Sequence, residues 1–186
     1  MLSLTVTTEE TEIDLITQAQ QGDRQAFGEL VRHHREGVVG VVYRLCGDVN
    51  VAEDAAQEAF IRAWQHLPSY QPRSPFRNWL YRIATNVALD VLRADKPTLD
   101  VEELPLATSG EGPEAAVENI ERAESVRRAV LALPPASRTV LVLREYEGLS
   151  YQEIADTLDI PMGTVMSRLS YARKLMLESL ASYMEG

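Results

Sequence analysis

The chain has 186 residues, with 28 acids against 18 lysines and arginines, a formal net charge of −10 and one cysteine, Cys46. That length allows one or two domains with a buried core, a lone cysteine excludes an internal disulfide framework, and no apolar run approaches the roughly 18–20 residues that cross a bilayer. The opening MLSLTVTTEETEID lacks the basic and apolar stretches of a signal peptide, so a reduced, cytoplasmic protein is expected.

The charge is unevenly spread. Residues 1–94 hold 12 acids and 9 bases (net −3), residues 95–125 hold 9 and 2 (net −7), and residues 126–186 hold 7 of each. The acidity therefore concentrates in a short middle segment, between two parts with local basic faces.

The pattern predicts a short helix over 10–21, stopped by Gly22-Asp23. A long helix over 24–46 follows, with the stripe Phe27, Leu30, Val31, His34, Val38, Val41, Val42, Leu45. His33 and His34 are adjacent and cannot share a helix face; without further ligands at suitable spacing, no metal site is expected. After Gly47-Asp48, a helix over 49–67 carries the small-residue stripe Ala52, Ala55, Ala56, Ala59, Ala63, with Phe60 and Leu67. Its other face presents Asp54, Gln57, Glu58, Ile61 and Gln65, with Trp64 at the margin. Such a face is either a solvated surface or a docking site for a basic helix.

Three prolines in eight residues, 68–75, make a stiff loop that delivers Tyr70 and Arg73 to the next helix. That helix, PFRNWLYRIATNVALDVLRA over 75–94, has the apolar stripe Leu80, Ile83, Ala84, Val87, Val91. The remaining face holds Asn78, Arg82, Thr85, Asn86, Leu89 and Arg93, with Arg77 and the aromatics Phe76, Trp79 and Tyr81 near its start. Cations for phosphates, amides for base edges and aromatics for stacking suit a nucleic-acid strand. Read alone, the segment is equally an ordinary amphipathic helix with solvated arginines.

Periodicity disappears in DKPTLDVEELPLATSGEGP, 95–113, which reads as an acidic linker between domains. Helices resume over 114–133 and 137–147. Ser150-Tyr-Gln-Glu153 is a capping box that starts a short helix, Asp159-Ile160-Pro161 turns the chain, and Gly163-Thr164 opens a second helix. The second helix would bury Val165, Leu169, Ala172, Met176 and Leu180, and present Thr164, Ser167, Arg168, Tyr171 and Lys174, with Arg173 or Lys174 placed for phosphates. This is the layout of a helix-turn-helix, although other helical hairpins share its spacing.

The blocks QGDRQAF (21–27), DAAQEAFIRAW (54–64), FRNWLYRIATN (76–86), LSYQEIA (149–155) and PMGTV (161–165), in this order, resemble the extracytoplasmic-function (ECF) sigma factors of the bacterial sigma-70 family. The resemblance runs from about residue 14 to 184. It implies an all-α chain of two small helical domains: sigma domain 2 over 10–94, a flexible acidic linker over 95–116, and sigma domain 4 with its helix-turn-helix over 117–186. It further implies a promoter-specificity subunit rather than an enzyme, with no cofactor.

By that likeness Asp54, Gln57, Glu58 and Ile61 are expected to contact the β′ clamp of core RNA polymerase. Tyr70, Arg73, Arg77, Trp79, Tyr81, Arg82 and Asn86 would read and open the −10 element. Thr164, Ser167, Arg168, Tyr171, Arg173 and Lys174 would read the −35 element, in a domain that also sits on the β flap. The linker would thread the polymerase channels, its charge replacing that of nucleic acid. An anti-sigma factor, often membrane-tethered, is an expected partner. Met166 stands where relatives often have arginine and Ser170 where a larger residue is common, so −35 readout is expected to differ in detail. Two alternatives predict different behaviour: a sigma-like decoy would bind an anti-sigma factor and never DNA, and an ordinary helix-turn-helix regulator would bind duplex without polymerase.

Overall fold

The computed structural model describes residues 3–94 and 113–184, with side chains described for 11–94 and 120–181. The expected threading segment 95–112 lies outside the described residues. Helix α1 (Ser3–Gln20) begins earlier than the expected 10–21. Helix α2 (Arg24–Cys46) starts where the Asp23 carboxylate accepts from the backbone N–H groups of Gln25 and Ala26, at 2.8 and 3.2 Å. It ends at Gly47, whose φ of 82° lets its N–H reach the Tyr43 carbonyl.

Asp48 then caps α3 (Val49–His66) by accepting from the Val51 N–H at 2.8 Å. One helix stop and one helix start thus fall on two adjacent residues, which folds α3 back along α2. The alanine stripe of α3 is buried, so the backbones approach closely. A short 3₁₀ turn (Leu67–Ser69) opens the proline-rich loop, and α4 (Phe76–Ala94) crosses α2 and α3 to complete a helical unit. The Gln20 side-chain amide holds α1 to this unit by donating to the carbonyls of Leu67 and Tyr70. Leu30, Leu45 and Leu80 are almost wholly buried here, each contributing about 1.5–3 kcal/mol by burial.

The second unit comprises α5 (Pro113–Leu131), α6 (Pro135–Glu145), α7 (Tyr151–Leu158) and α8 (Met162–Met184). Helix α5 thus takes in residues 113–116 of the expected linker. Pro135 occupies the first turn of α6, where a missing N–H costs nothing. The capping box is formed: Ser150 Oγ accepts from the Glu153 N–H, and the Glu153 carboxylate accepts from the Ser150 N–H at 2.8 Å. Helix α7 ends at Asp159, left-handed at φ 55°. Val165, Leu169 and Ala172 of α8 are buried as expected, while Met176 and Leu180 are only half-buried.

All elements among the described residues are helical, and the two units share one continuous apolar core. Helix α2 packs on α5 and α6, and α4 packs on α6 and α7. A side chain on Gly47 would strike Leu131 of α5, since an ideal Cβ there lies 2.8 Å from a Leu131 methyl. Arg138 of α6 fastens the junction. It is buried, and its guanidinium donates to the carbonyls of Leu45 at the end of α2, of Leu131 at the end of α5 and of Leu133 just beyond it. A cation therefore satisfies the C-terminal ends of two helices from different units. Burial pushes its pKa below the usual arginine value.

Candidate nucleic-acid and polymerase interfaces

Three surfaces carry the residues singled out in the sequence. The first is the outer face of α3. Asp54, Gln57 and Ile61 line an open groove of about 620 Å³ between α2 and α3, floored by Phe27, Val31 and Trp64. The Phe27 and Trp64 rings lie 5.0 Å apart at a tilted angle. Ile61 is 47% exposed, a large apolar side chain held in water. Glu58 is turned elsewhere: it pairs with Arg62 at 2.7 Å, and Arg62 also lies 3.6 Å from Asp90. The Glu58 hydrogen bond is the main cause that raises the Arg62 pKa. An apolar floor whose rim mixes Glu53 and Asp54 with Arg24 and Arg35 is suited to an amphipathic helix.

The second surface is α4 with its preceding loop, and here the structure corrects the expected strand-facing side. Asn78 is 1% exposed and Thr85 is fully buried. The Thr85 hydroxyl donates back to the Tyr81 carbonyl at 2.7 Å. Tyr70 and Tyr81, expected as open stacking residues, are 7% and 3% exposed. The Tyr70 ring packs edge-on against Phe76 and tilted against Trp79, and its hydroxyl donates to the Ser74 carbonyl. Burial is the main cause that raises the Tyr70 pKa. The half-buried Trp79 belongs to this cluster, so the aromatic mouth of the loop is packed shut. Arg73, Arg77, Arg82 and Asn86 are exposed. The reason is geometric: α4 is covered on one side by α2 and α3 and on another by α6 and α7, so its apolar stripe is wider than the sequence suggests.

The cover is specific. The Tyr81 hydroxyl donates to Glu147 Oε2 at 2.5 Å, Asn78 Nδ2 donates to Glu153 Oε1 at 3.2 Å, and Arg82 lies 3.4 Å from Asp159. Glu147 also faces Arg44 at 3.8 Å, and the Arg44 guanidinium lies over the Tyr146 ring. Burial and then the Glu147 hydrogen bond raise the Tyr81 phenol well above its usual range. Glu153 is held below the usual carboxylate range, first by the Ser150 backbone N–H and then by the Ser150 side chain, with smaller help from Asn78 and Arg77. Asn78 Oδ1 and Arg138 Nε are buried and have no hydrogen-bond partner.

The third surface is the N-terminal half of α8. Ser167 and Tyr171 are exposed and Thr164 and Arg168 half-exposed, together with the exposed Met162 and Met166. Arg173 is engaged by Glu145 at 2.8 Å, the main cause that raises its pKa, and Lys174 lies 3.9 Å from Glu178. The structure therefore groups Thr164, Ser167, Arg168 and Tyr171 on one accessible helix end. Glu147, Arg44 and Arg138 were missed from the sequence. The signal for Arg138 is a cation two residues before the apolar run 140–143; Glu147 carries none.

Among the described residues no cluster of His, Cys, Asp and Glu is arranged to hold a metal, and no helix is long and apolar enough to cross a membrane. Two family models match the chain: sigma-70 region 2 over residues 30–98 and sigma-70 region 4 over residues 123–176. The ECF RNA polymerase sigma factor SigW of Bacillus subtilis is 38% identical over 176 residues, covering 89% of this chain and 94% of that protein. The RNA polymerase sigma-H factor of Pseudomonas aeruginosa is 36% identical, covering 93% and 95%. Among solved structures, CnrH in complex with the cytosolic domain of CnrY superposes with a TM-score of 0.70 at 27% identity, covering 92% of this chain and 98% of CnrH. The sigma factor RpoE of Bartonella quintana, solved with the anti-sigma factor NepR, shares the fold at a TM-score of 0.69 and 21% identity over 83% and 96%. With both regions present in order and relatives matched along nearly their whole length, the chain belongs to the ECF sigma factors of the sigma-70 family, which direct transcription initiation.

Proposed function

We propose that this chain binds core RNA polymerase through the α2–α3 groove, with Ile61 as the apolar anchor and Asp54 and Gln57 on its rim. Glu58 contributes from the edge of the same face. The residues of α4 and its loop (Arg73, Arg77, Trp79, Tyr81, Arg82, Asn86, with Tyr70 supporting from within) then read and open the −10 element. Thr164, Ser167, Arg168, Tyr171, Arg173 and Lys174 read the −35 duplex. In this reading the functional division is 10–94, 95–116 and 117–186, and the chain supplies binding and strand opening while catalysis stays with the polymerase. It works in the cytoplasm under an anti-sigma partner; the solved likeness to CnrH, which has a protein bound, supports such a partner.

The observation that carries the reading is the exposed Ile61 over an apolar groove in the region-2 unit, with Asp54 and Gln57 beside it. Strand opening costs a few kcal/mol per unstacked base, and stacking with base contacts returns about 1–3 per base. Run-off transcription tests it: core polymerase with this chain should start at discrete promoters that core ignores. Absence of core binding would refute it, as would tight duplex binding without polymerase.

A further inference from the structure

Among the described residues eight large apolar side chains stand exposed, and four of them, Met162, Met166, Tyr171 and Leu177, lie on α8. Met162 and Met166 are 47% and 52% exposed. They occupy the N-terminal end of α8, the end that a helix-turn-helix presents to base edges in the major groove.

The same end is poor in groups that read bases through paired hydrogen bonds. From Met162 to Ala172 the only arginine, lysine, amide or carboxylate side chain is Arg168, and it is half-exposed. Ser167 is exposed, but its hydroxyl donates back to the Thr164 carbonyl at 3.0 Å. Arg173 and Lys174, further along the helix, face Glu145 and Glu178. Of the contacts that distinguish base pairs in the major groove, the one with the 5-methyl group of thymine needs neither donor nor acceptor.

The spacing suits that contact. Met162 and Met166 are four residues apart and share a side of α8, about 6 Å from each other along its axis. That is close to two base steps of about 3.4 Å each. Methionine is unbranched and flexible, so its thioether end can follow a methyl group across the groove floor. Beside Met166 the surface opens into a groove of about 520 Å³ bounded by Tyr151, Ser170 and Leu177, with Arg173 and Lys174 also lining it. The small Ser170 leaves room there for the sugar-phosphate strand that flanks the bases, with two cations beside it.

We propose that Met162 and Met166 determine −35 specificity by apolar contact with the methyl groups of two thymines no more than two base steps apart. The inference rests on the reading of α8 as the −35 reader given above. Each methyl group taken out of water against a methionine is worth roughly four-fold in affinity.

The test uses the holoenzyme assembled from core polymerase and the full chain. Run-off transcription from a library randomised across the −35 region should enrich thymine at two positions within two steps of each other. Deoxyuridine in place of each thymine removes the 5-methyl group and keeps every hydrogen-bonding group. Promoter affinity should fall roughly four-fold for one replacement and roughly sixteen-fold for both. Met166→Ala should make thymine and uracil equivalent at one position and Met162→Ala at the other, while Met166→Leu, still apolar, should keep the discrimination. Both side chains are exposed, so thermal unfolding of these variants should match the wild type. Selection of an element without thymine overturns the proposal. So does equal affinity for thymine and uracil promoters, or a Met166→Ala holoenzyme that keeps the full loss on uracil at both positions. If scrambling the −35 region leaves wild-type transcription unchanged, the reading of α8 falls and this inference with it. If scrambling matters and uracil does not, only the inference falls.

Discussion

The outer face of α3 and the polar face of α4 look alike in the sequence: each is a helix side mixing charged, amide and apolar residues. Folded, they differ. The α3 face lies open, with Ile61 in water above Phe27 and Trp64. The α4 face is roofed by α6 and α7, with Asn78 and Tyr81 inside and acids closing over them. Helical periodicity tells which residues share a side, but what covers that side is decided by contacts across the chain. The α3 face stands open in the folded chain, whereas the α4 face is covered in part, at Asn78 and Tyr81.

The largest expected effect comes from the rivet between the units. Arg138→Met should leave the Leu45, Leu131 and Leu133 carbonyls without their donor and cost about 3 kcal/mol of stability, read by urea unfolding. If stability is unchanged, the cover over α4 is not held from α6. On the open face, Ile61→Glu should weaken core polymerase binding by roughly thirty-fold or more while leaving unfolding unchanged, because the side chain is 47% exposed. Equal binding would show that the groove is not the docking surface.

Within the covered face, Trp79→Ala should cost roughly 2 kcal/mol of stability, below the roughly 3–5 of a fully buried aromatic, because the ring is half-buried against Tyr70 and Phe76. Asn86→Ala, at an exposed position, should leave stability unchanged and impair promoter opening more than core binding. If both variants merely unfold the chain, α4 is narrower as a reader than proposed. Ser150→Ala removes one half of the capping box of α7 and should cost about 1 kcal/mol, loosening the roof from its own end.

The smallest effect is a pH dependence. The Tyr81 phenol is raised in the fold above its ordinary value of 10.0, first by burial and then by Glu147. Its contribution is therefore fully present below about pH 10 and is lost as pH rises toward the folded value. Near-ultraviolet absorbance should show Tyr81 and Tyr70 ionising late, and Tyr81→Phe should remove the later component while leaving that of Tyr70.

Local structure was legible where local chemistry decides it. Asp23 and Asp48 cap α2 and α3, Gly47 ends α2, and Ser150 with Glu153 starts α7, all from signals two to three residues long. The alanine stripe of α3 and the Val165–Leu169–Ala172 stripe of α8 are buried as their spacing predicts. The order and helical nature of the two units followed from the same signals. What stayed hidden was set by residues far apart in the chain. Nothing beside Asn78 announces Glu153, 75 positions on, and nothing beside Leu45 announces Arg138, 93 positions on. The aromatic cluster was seen as residues able to stack on bases, but Tyr70, Phe76 and Trp79 stack first on one another.

The contrast between an open docking face and a covered reading face is tested most directly by one distance. Fluorophores on Arg93→Cys, at the exposed end of α4, and Gln152→Cys, on α7, in a Cys46→Ala background, report separation of the units by energy transfer. The free chain should show high transfer, and addition of core polymerase should lower it sharply as α7 leaves α4. High transfer that persists in the polymerase complex, or low transfer in the free chain, would contradict the account.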